Sequence, residues 1–378
     1  MEIPNKPKLS PRPFFPNVNG LRFLGAFAVF IFHSFTLYKE NWSNFTESVV
    51  FNLAFKVANK GHYGVALFFV LSGFLITSML LHERKQTGTI SVRHFFFRRV
   101  LRIWPLYFLL IGFGFFLFPY LPAGIQTQHS FTWYALFAAN LDEIAVGMND
   151  SLNFLTVLWS VSVEEQFYLA WMFLMLVLPW IKQRKYFLAY AVILIITSIV
   201  FRLLHADDER VLYFHTFSVI SDLAIGSIVA YFIHFYPLKA WIEKWPKNAI
   251  LFGYLAGFTL LFTAHFLFTN IFESVERIVL GLFFAFVLLE QIFAKNSLFK
   301  MDSIPYFAKL GEITYGFYLF HCVCMYYWSL FFNYYQLTTQ AGYFALYILV
   351  CFTSTLLTAQ LSWRLIEKPI LSLKHRLK

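Results

Sequence analysis

The stretch Asn19-Gly20-Leu21-Arg22-Phe23-Leu24-Gly25-Ala26-Phe27-Ala28-Val29-Phe30-Ile31-Phe32-His33 decides how this chain is read. It is apolar enough to begin a membrane span, yet it carries an arginine near its start and a histidine eleven positions later. Eleven residues make about three turns of an α-helix, so both side chains point to nearly one side, roughly 16 Å apart along the axis. Ionisable groups inside an apolar span are costly and usually mark a pathway or a reaction centre. A guanidinium suits phosphate and an imidazole suits proton transfer. The pair predicts a lined-up anion site and catalytic base within the bilayer. The plainer alternative is an arginine snorkelling to headgroups and a histidine bonded to a neighbouring helix.

The rest of the chain supports a membrane setting. Its 378 residues are 59% hydrophobic and 21% aromatic, with 50 Phe and only 13% charged residues; soluble domains carry roughly 25% charged residues. Mean hydropathy is +0.62. The fold class expected is all-α, a polytopic membrane bundle of about ten transmembrane helices. Candidate spans of bilayer length run at 20–38, 61–82, 103–121, 154–180, 186–204, 211–234, 248–268, 275–293, 313–333 and 342–364. The formal charge of +10 does not argue for nucleic acid, because the cations sit in short loops between apolar stretches. Under this threading 24 of the 30 Lys and Arg fall on one side; the other side holds Lys39, Lys56, Lys60, Arg202, Arg210 and Arg277. Such asymmetry predicts both termini in the cytoplasm. Acidic residues on the outer side (Asp142, Glu143 and Asp150; Asp207, Asp208 and Glu209) add support.

A single membrane-embedded domain over 1–378 is expected, with basic cytoplasmic tails at 1–19 and 365–378 and no cleavable signal peptide. Cys322, Cys324 and Cys351 lie in late spans without zinc spacing, so neither a metal nor a disulfide is expected. The longest outer connection, 122–153, exceeds a simple turn. Its stretch 131–141 reads as an interfacial helix or a part of the site.

Two further constellations carry chemistry. In His94-Phe95-Phe96-Phe97-Arg98-Arg99-Val100-Leu101-Arg102, arginines three and four apart converge on one anion if the segment is helical. Ordinary positive-inside charge touching lipid phosphate is the alternative. In Trp159-Ser160-Val161-Ser162-Val163-Glu164-Glu165-Gln166-Phe167-Tyr168, two carboxylates lie about mid-membrane and cannot both face lipid cheaply. Glu164 shares a face with Ser160 and Tyr168, whereas Glu165 points about 100° away; a structural polar network is the alternative. Tyr315, Tyr318 and His321 step by three and are candidates to line a cavity, although a packed, hydrogen-bonded His321 is the blander reading. Ser72 and Gly73 permit close helix contact. Asp222 is isolated, with no partner readable in the sequence.

Taken in order, these segments resemble the membrane acyltransferase-3 family of acyl-CoA-dependent O-acyltransferases, which modify cell-surface glycans. The resemblance runs from Asn19 to Pro369. It is carried by Gly20-Leu21-Arg22 with His33, Phe68-Phe69-Val70-Leu71-Ser72-Gly73-Phe74, Arg99-x-x-Arg102, Trp159-Ser160 through Glu164 and Tyr168, Tyr315-x-x-Tyr318-x-x-His321, and Ile366-Glu367-Lys368-Pro369. It implies an acyl-CoA co-substrate, most simply acetyl-CoA, and no metal. It matches His33 to the family's essential histidine, Arg22 to the arginine preceding it, and Arg99 and Arg102 to the pair engaging the donor. Asn19 and Ala66 stand where many members have Asp, Thr156 where Ser is common, and Val161 where Leu is common. Some relatives carry a further hydrolase-like domain beyond the membrane part; none is expected after Lys378.

Joined to the topology, this gives a working expectation. Arg22, Arg98, Arg99 and Arg102 hold the nucleotide phosphates at the inner mouth. His33 acts as general base on a glycan hydroxyl or takes the acyl group transiently. Glu164 or Glu165 orients the imidazole, and Trp159, Ser160, Tyr168, Tyr318 and His321 line the site. The expected partners are acyl-CoA, a surface polysaccharide or lipid-linked glycan, and membrane lipids. The expected location is the bacterial cytoplasmic (inner) membrane. A transporter or flippase of an anionic or lipid-linked glycan is the main rival, but no halves with matching broken helices appear. A sensor or scaffold gives no reason for the ionisable residues to lie along one route.

Overall fold

The computed structural model describes residues 13–37, 39–45, 48–122, 124–147, 153–177, 184–269, 273–339 and 341–373. The outermost parts of both basic tails, Asp150 and Lys182 lie outside the described residues. Ten helices of 19–24 residues form the bundle: α1 (Val18–Thr36), α2 (Gly64–Thr87), α3 (Val92–Gly112), α4 (Leu158–Val177), α5 (Arg184–Leu204), α6 (Thr216–Phe235), α7 (Lys247–Leu267), α8 (Glu273–Phe293), α9 (Thr314–Tyr334) and α10 (Ala341–Ser362). No strand occurs among the described residues. Helices satisfy every backbone N–H and C=O internally, which hydrocarbon demands of a spanning segment.

Among the described residues, seven helical segments are long and apolar enough to cross a membrane: Val18–Thr36, Val49–Thr87, Val92–Tyr120, Tyr186–Leu204, Glu209–Phe235, Lys247–Ala264 and Gly342–Ser372. The expectation of ten spans is therefore met only in part. The other three helices, α4, α8 and α9, are equally long but interrupt their apolar faces with Glu164 and Glu165, with Glu276, Arg277 and Glu290, and with tyrosines and His321.

The tightest seam lies between α2 and α6. A Cβ on Gly73 would stand 2.0 Å from the carbonyl oxygen of Leu223, and one on Gly226 2.0 Å from that of Val70. Only glycine lets the two backbones touch, and close packing with hydrogen bonds is what associates helices in lipid. Thr77 Oγ1 donates to Ser227 Oγ at 2.9 Å, and Trp171 Nε1 of α4 donates to Thr77 Oγ1 at 2.9 Å. Around this seam α1 packs on α2 and α9, α9 on α10, α5 on α6 and α7 on α8.

One end of the bundle collects the start of α1, the α2–α3 turn, the segment before α9 and the segment after α10. Phe14, Arg98, Asp302 and Leu371 all line one cavity there. Asn17, at φ +64°, locks this end. Its backbone N–H donates to Asp302 Oδ2, and the Asp302 N–H donates back to Asn17 Oδ1, both at 2.8 Å.

At the opposite end the 124–147 connection forms two short helices, Phe131–Ala135 and Ala139–Val146. Each buries one face in the protein, with Tyr134, Asn140 and Glu143 fully buried, while Phe131, Trp133 and Leu136 stay exposed. His129 Nδ1 meets Asp142 Oδ2 at 2.6 Å, and the Tyr134 hydroxyl donates to Glu143 Oε1 at 2.6 Å. Asp142 and Glu143 are thus internal acceptors, not the solvated acidic face that their loop position suggests.

Candidate active site

Two cavities meet at a wall of guanidinium groups. The larger, of about 1510 Å³ of empty volume, opens at the end shared by the termini. The second, of about 760 Å³, lies in the middle of the bundle. Arg22, Arg99 and Arg102 line both. Arg22 comes from the first turns of α1, where the Asn17–Asp302 lock fixes the helix. Arg99 and Arg102 come from one face of α3, three residues apart. None of the three forms an ion pair among the described residues. Arg99 stacks on the Tyr168 ring at 4.0 Å. Arg98 is placed differently: it lines only the larger cavity and its Nη2 lies 3.2 Å from Glu83 Oε2.

Glu164 lines the central cavity and is held from two sides. Ser72 Oγ donates to Oε1 at 2.5 Å and the Tyr168 hydroxyl to Oε2 at 3.0 Å. Glu165, rotated away on α4, keeps one buried carboxylate oxygen without a hydrogen-bond partner. At the far end of this cavity Ser160 Oγ and the Tyr318 hydroxyl are 2.8 Å apart.

Behind Tyr318 lies a pair of histidines. His33 Nδ1 is 2.7 Å from His321 Nε2, with the rings 11° from parallel. His321 Nδ1 is 2.6 Å from the Tyr318 carbonyl oxygen. A carbonyl only accepts, so His321 Nδ1 carries a proton, and in the neutral ring Nε2 is then an acceptor. His33 Nδ1–H donates to it, which leaves the lone pair of His33 on Nε2. His33 thus emerges with one defined basic nitrogen, oriented by His321; Glu164 is bonded to Ser72 and Tyr168 instead, and no hydrogen bond joins Glu165 to His33 among the described residues. Neither histidine lines the central cavity; Tyr318 stands between them and it.

Cys322 Sγ lies 3.3 Å from His321 Nε2 and 3.5 Å from His33 Nδ1. The three ligand atoms fall within 4.8 Å of one another. Two nitrogens on one tetrahedral zinc ion stand roughly 3.3 Å apart, given zinc–nitrogen bonds near 2.05 Å. The 2.7 Å contact is a hydrogen bond instead.

A third cavity, of about 750 Å³, sits at the end away from the termini and shares Val65 with the central one. Trp159 faces it, packed on Phe69 and Tyr213. So do Arg202 and Arg277. Arg277 Nη2 lies 2.6 Å from Asp222 Oδ2, which supplies the partner Asp222 lacked in sequence. No local motif announces this chamber. The one available signal was that Arg202 and Arg277 are rare cations on the outer side.

A helical bundle with charged cavities end to end through its interior defines a class, and comparison with known proteins agrees. Residues 15–363 match the acyltransferase-3 family, described as an acyltransferase domain, and the chain belongs to this membrane acyltransferase family. It is 28% identical to the peptidoglycan O-acetyltransferase OatA of Listeria monocytogenes, over 95% of this chain and 56% of that protein. It is 26% identical to the O-acetyltransferase OatA of Staphylococcus aureus, over 96% of this chain and 58% of that protein. The chain thus spans a little over half the length of these relatives. No solved structure matches it.

Proposed function

We propose that this chain is an integral-membrane O-acyltransferase that moves an acyl group, most simply acetyl, from cytoplasmic acyl-CoA to a hydroxyl of an extracytoplasmic glycan. The observation carrying the reading is the wall of Arg22, Arg99 and Arg102 between two connected cavities. Three guanidiniums share the central lining with one carboxylate, Glu164, while Glu165 lies near Arg99 and Glu367 near Arg102 behind it, and none of the three arginines forms an ion pair among the described residues. Guanidinium groups lining a cavity without an ion-pair partner suit phosphate oxygens, and a polyanion with a thin apolar arm, such as a nucleotide thioester, fits both the wall and the cavity beyond it. The cation-rich end of the bundle is then the cytoplasmic one.

In this reading the arginines hold the phosphates and the acyl arm extends toward Ser160 and Tyr318. Turning the Tyr318 ring off Ser160 joins the cavity to the histidines. His33 Nε2 takes the proton from the acceptor hydroxyl as its oxygen attacks the thioester carbonyl. The Ser160 and Tyr318 hydroxyls donate to the developing oxyanion. The carbon–sulfur bond breaks, the thiolate regains the proton from His33, and the products are an ester and free CoA thiol. The O-acetyltransferase names of the relatives support the acyl group and the glycan acceptor.

Purified protein in vesicles, given labelled acetyl-CoA and a soluble N-acetylglucosamine oligomer, should release CoA thiol and place label on the sugar as ester. Each charge-assisted hydrogen bond contributes about 1.5–3 kcal/mol, so the double variant Arg99→Ala/Arg102→Ala should bind acetyl-CoA at least tenfold more weakly. Thioester left intact while label crosses the membrane would identify a carrier, and unchanged binding in the variant would remove the phosphate wall.

A further inference from the structure

We propose that the third cavity, at the end of the bundle away from the termini, seats one uncharged sugar unit of the acceptor. This rests on the acyltransferase reading and adds the residues and the ligand chemistry.

The chamber differs from the arginine wall in charge balance. Arg202 and Arg277 are matched by Glu209 and Glu276 in the lining, with Asp222 directly behind Arg277. A diphosphate or polyanion would meet no surplus of cations here. A polyol meets what it needs, because guanidinium donors and carboxylate acceptors sit side by side, the complement of neighbouring hydroxyls.

The polar groups are held rather than loose. Arg202 Nη1 donates to Ser218 Oγ at 2.9 Å, and the Tyr63 hydroxyl donates to Glu276 Oε1 at 2.6 Å. Yet the Nε atoms of both arginines are buried without a hydrogen-bond partner. Unpaired buried donors are costly, and a ligand hydroxyl would satisfy them. Pinned polar groups with spare hydrogen-bonding capacity describe a preorganised site.

Aromatic surface completes the arrangement. Trp159 and Tyr213 line the chamber with ring centroids 5.1 Å apart. Pyranose rings present an apolar C–H face, which flat aromatic side chains with polar edges cover well. The empty volume of about 750 Å³ lies within the roughly 300–1,000 Å³ typical of small-ligand sites. Val65, shared with the central cavity, puts the seat beside the space proposed for the acyl arm.

The test is equilibrium binding of a radiolabelled N-acetylglucosamine tetramer to the full chain in detergent, without donor. Glu209→Gln removes an acceptor on the exposed rim, and Tyr213→Leu removes the platform. Each variant is checked by thermal unfolding and by acetyl-CoA binding. Saturable sugar binding that weakens at least tenfold in both variants, with acetyl-CoA affinity within twofold of wild type, is the expected result. No saturable binding by wild type, or equal binding by correctly folded variants, overturns the proposal. Failure of the acyltransferase reading itself would show separately, as no thioester cleavage by wild type.

Discussion

Which nitrogen holds which proton decides what the two imidazoles can do. His321 gives its Nδ1 proton to the Tyr318 carbonyl and receives the Nδ1–H of His33, so His33 Nε2 is free to accept. His33→Ala removes that base and His321→Ala removes its orientation. Losing one such hydrogen bond costs about 1–3 kcal/mol, or roughly 5- to 150-fold in turnover. In His321→Gln a side-chain carbonyl can replace the ring acceptor. Turnover measured at saturating donor should therefore rank wild type, then Gln, then Ala at 321, with acetyl-CoA affinity unmoved. Equal rates for Gln and Ala would deny the orienting role. At this scale the sequence singled out Arg22, His33, Arg99, Arg102 and Glu164, because costly residues in apolar runs stand out. It did not reach the His33–His321 contact, formed across 288 positions, nor the diversion of Arg98 to Glu83.

The element that sets the bundle's geometry is the α2–α6 seam. Its glycines meet backbone oxygens, which cannot swing aside as a side chain can. Overpacking a core typically costs about 1–3 kcal/mol, and a contact with main chain belongs at the upper end. Gly73→Ala and Gly226→Ala should each lower the thermal midpoint in detergent. Combined, they should fall short of additive, because the first already forces apart the backbones that the second would clash with. Gly112→Ala, where an added Cβ meets nothing within 4 Å, is the control and should hold or raise the midpoint. Normal stability in Gly73→Ala would show that the seam has room. The run from Phe68 to Phe74 marked this helix for close contact. That α6 is the partner was not legible, since small residues mark a face without naming what it meets.

At the scale of the whole molecule, both described termini come to one end of the bundle, where Phe14 and Leu371 line the same cavity as Arg98, Arg99 and Arg102. Single cysteines in a background lacking Cys322, Cys324 and Cys351 test the orientation. Phe14→Cys and Lys368→Cys should react with an impermeant maleimide only after the cytoplasmic side is exposed, and Asp207→Cys should react from outside intact cells. All three positions are exposed in the structure. Labelling of Phe14→Cys in intact cells would invert the proposed route of the donor.

The sequence by itself determined an all-helical membrane bundle and which ionisable residues it carries inside. Both follow from local quantities, namely the length of apolar runs and the cost of charge within them. Tertiary structure decided which of those groups meet. It joined Arg22 to Arg99 and Arg102, turned Arg98 away, set His33 against His321, paired Asp222 with Arg277, and built a chamber around Trp159 and Tyr213. Such contacts depend on how far each helix is rotated about its axis, and that rotation is set by packing at seams such as Gly73 on Leu223, not by the residues of any one span.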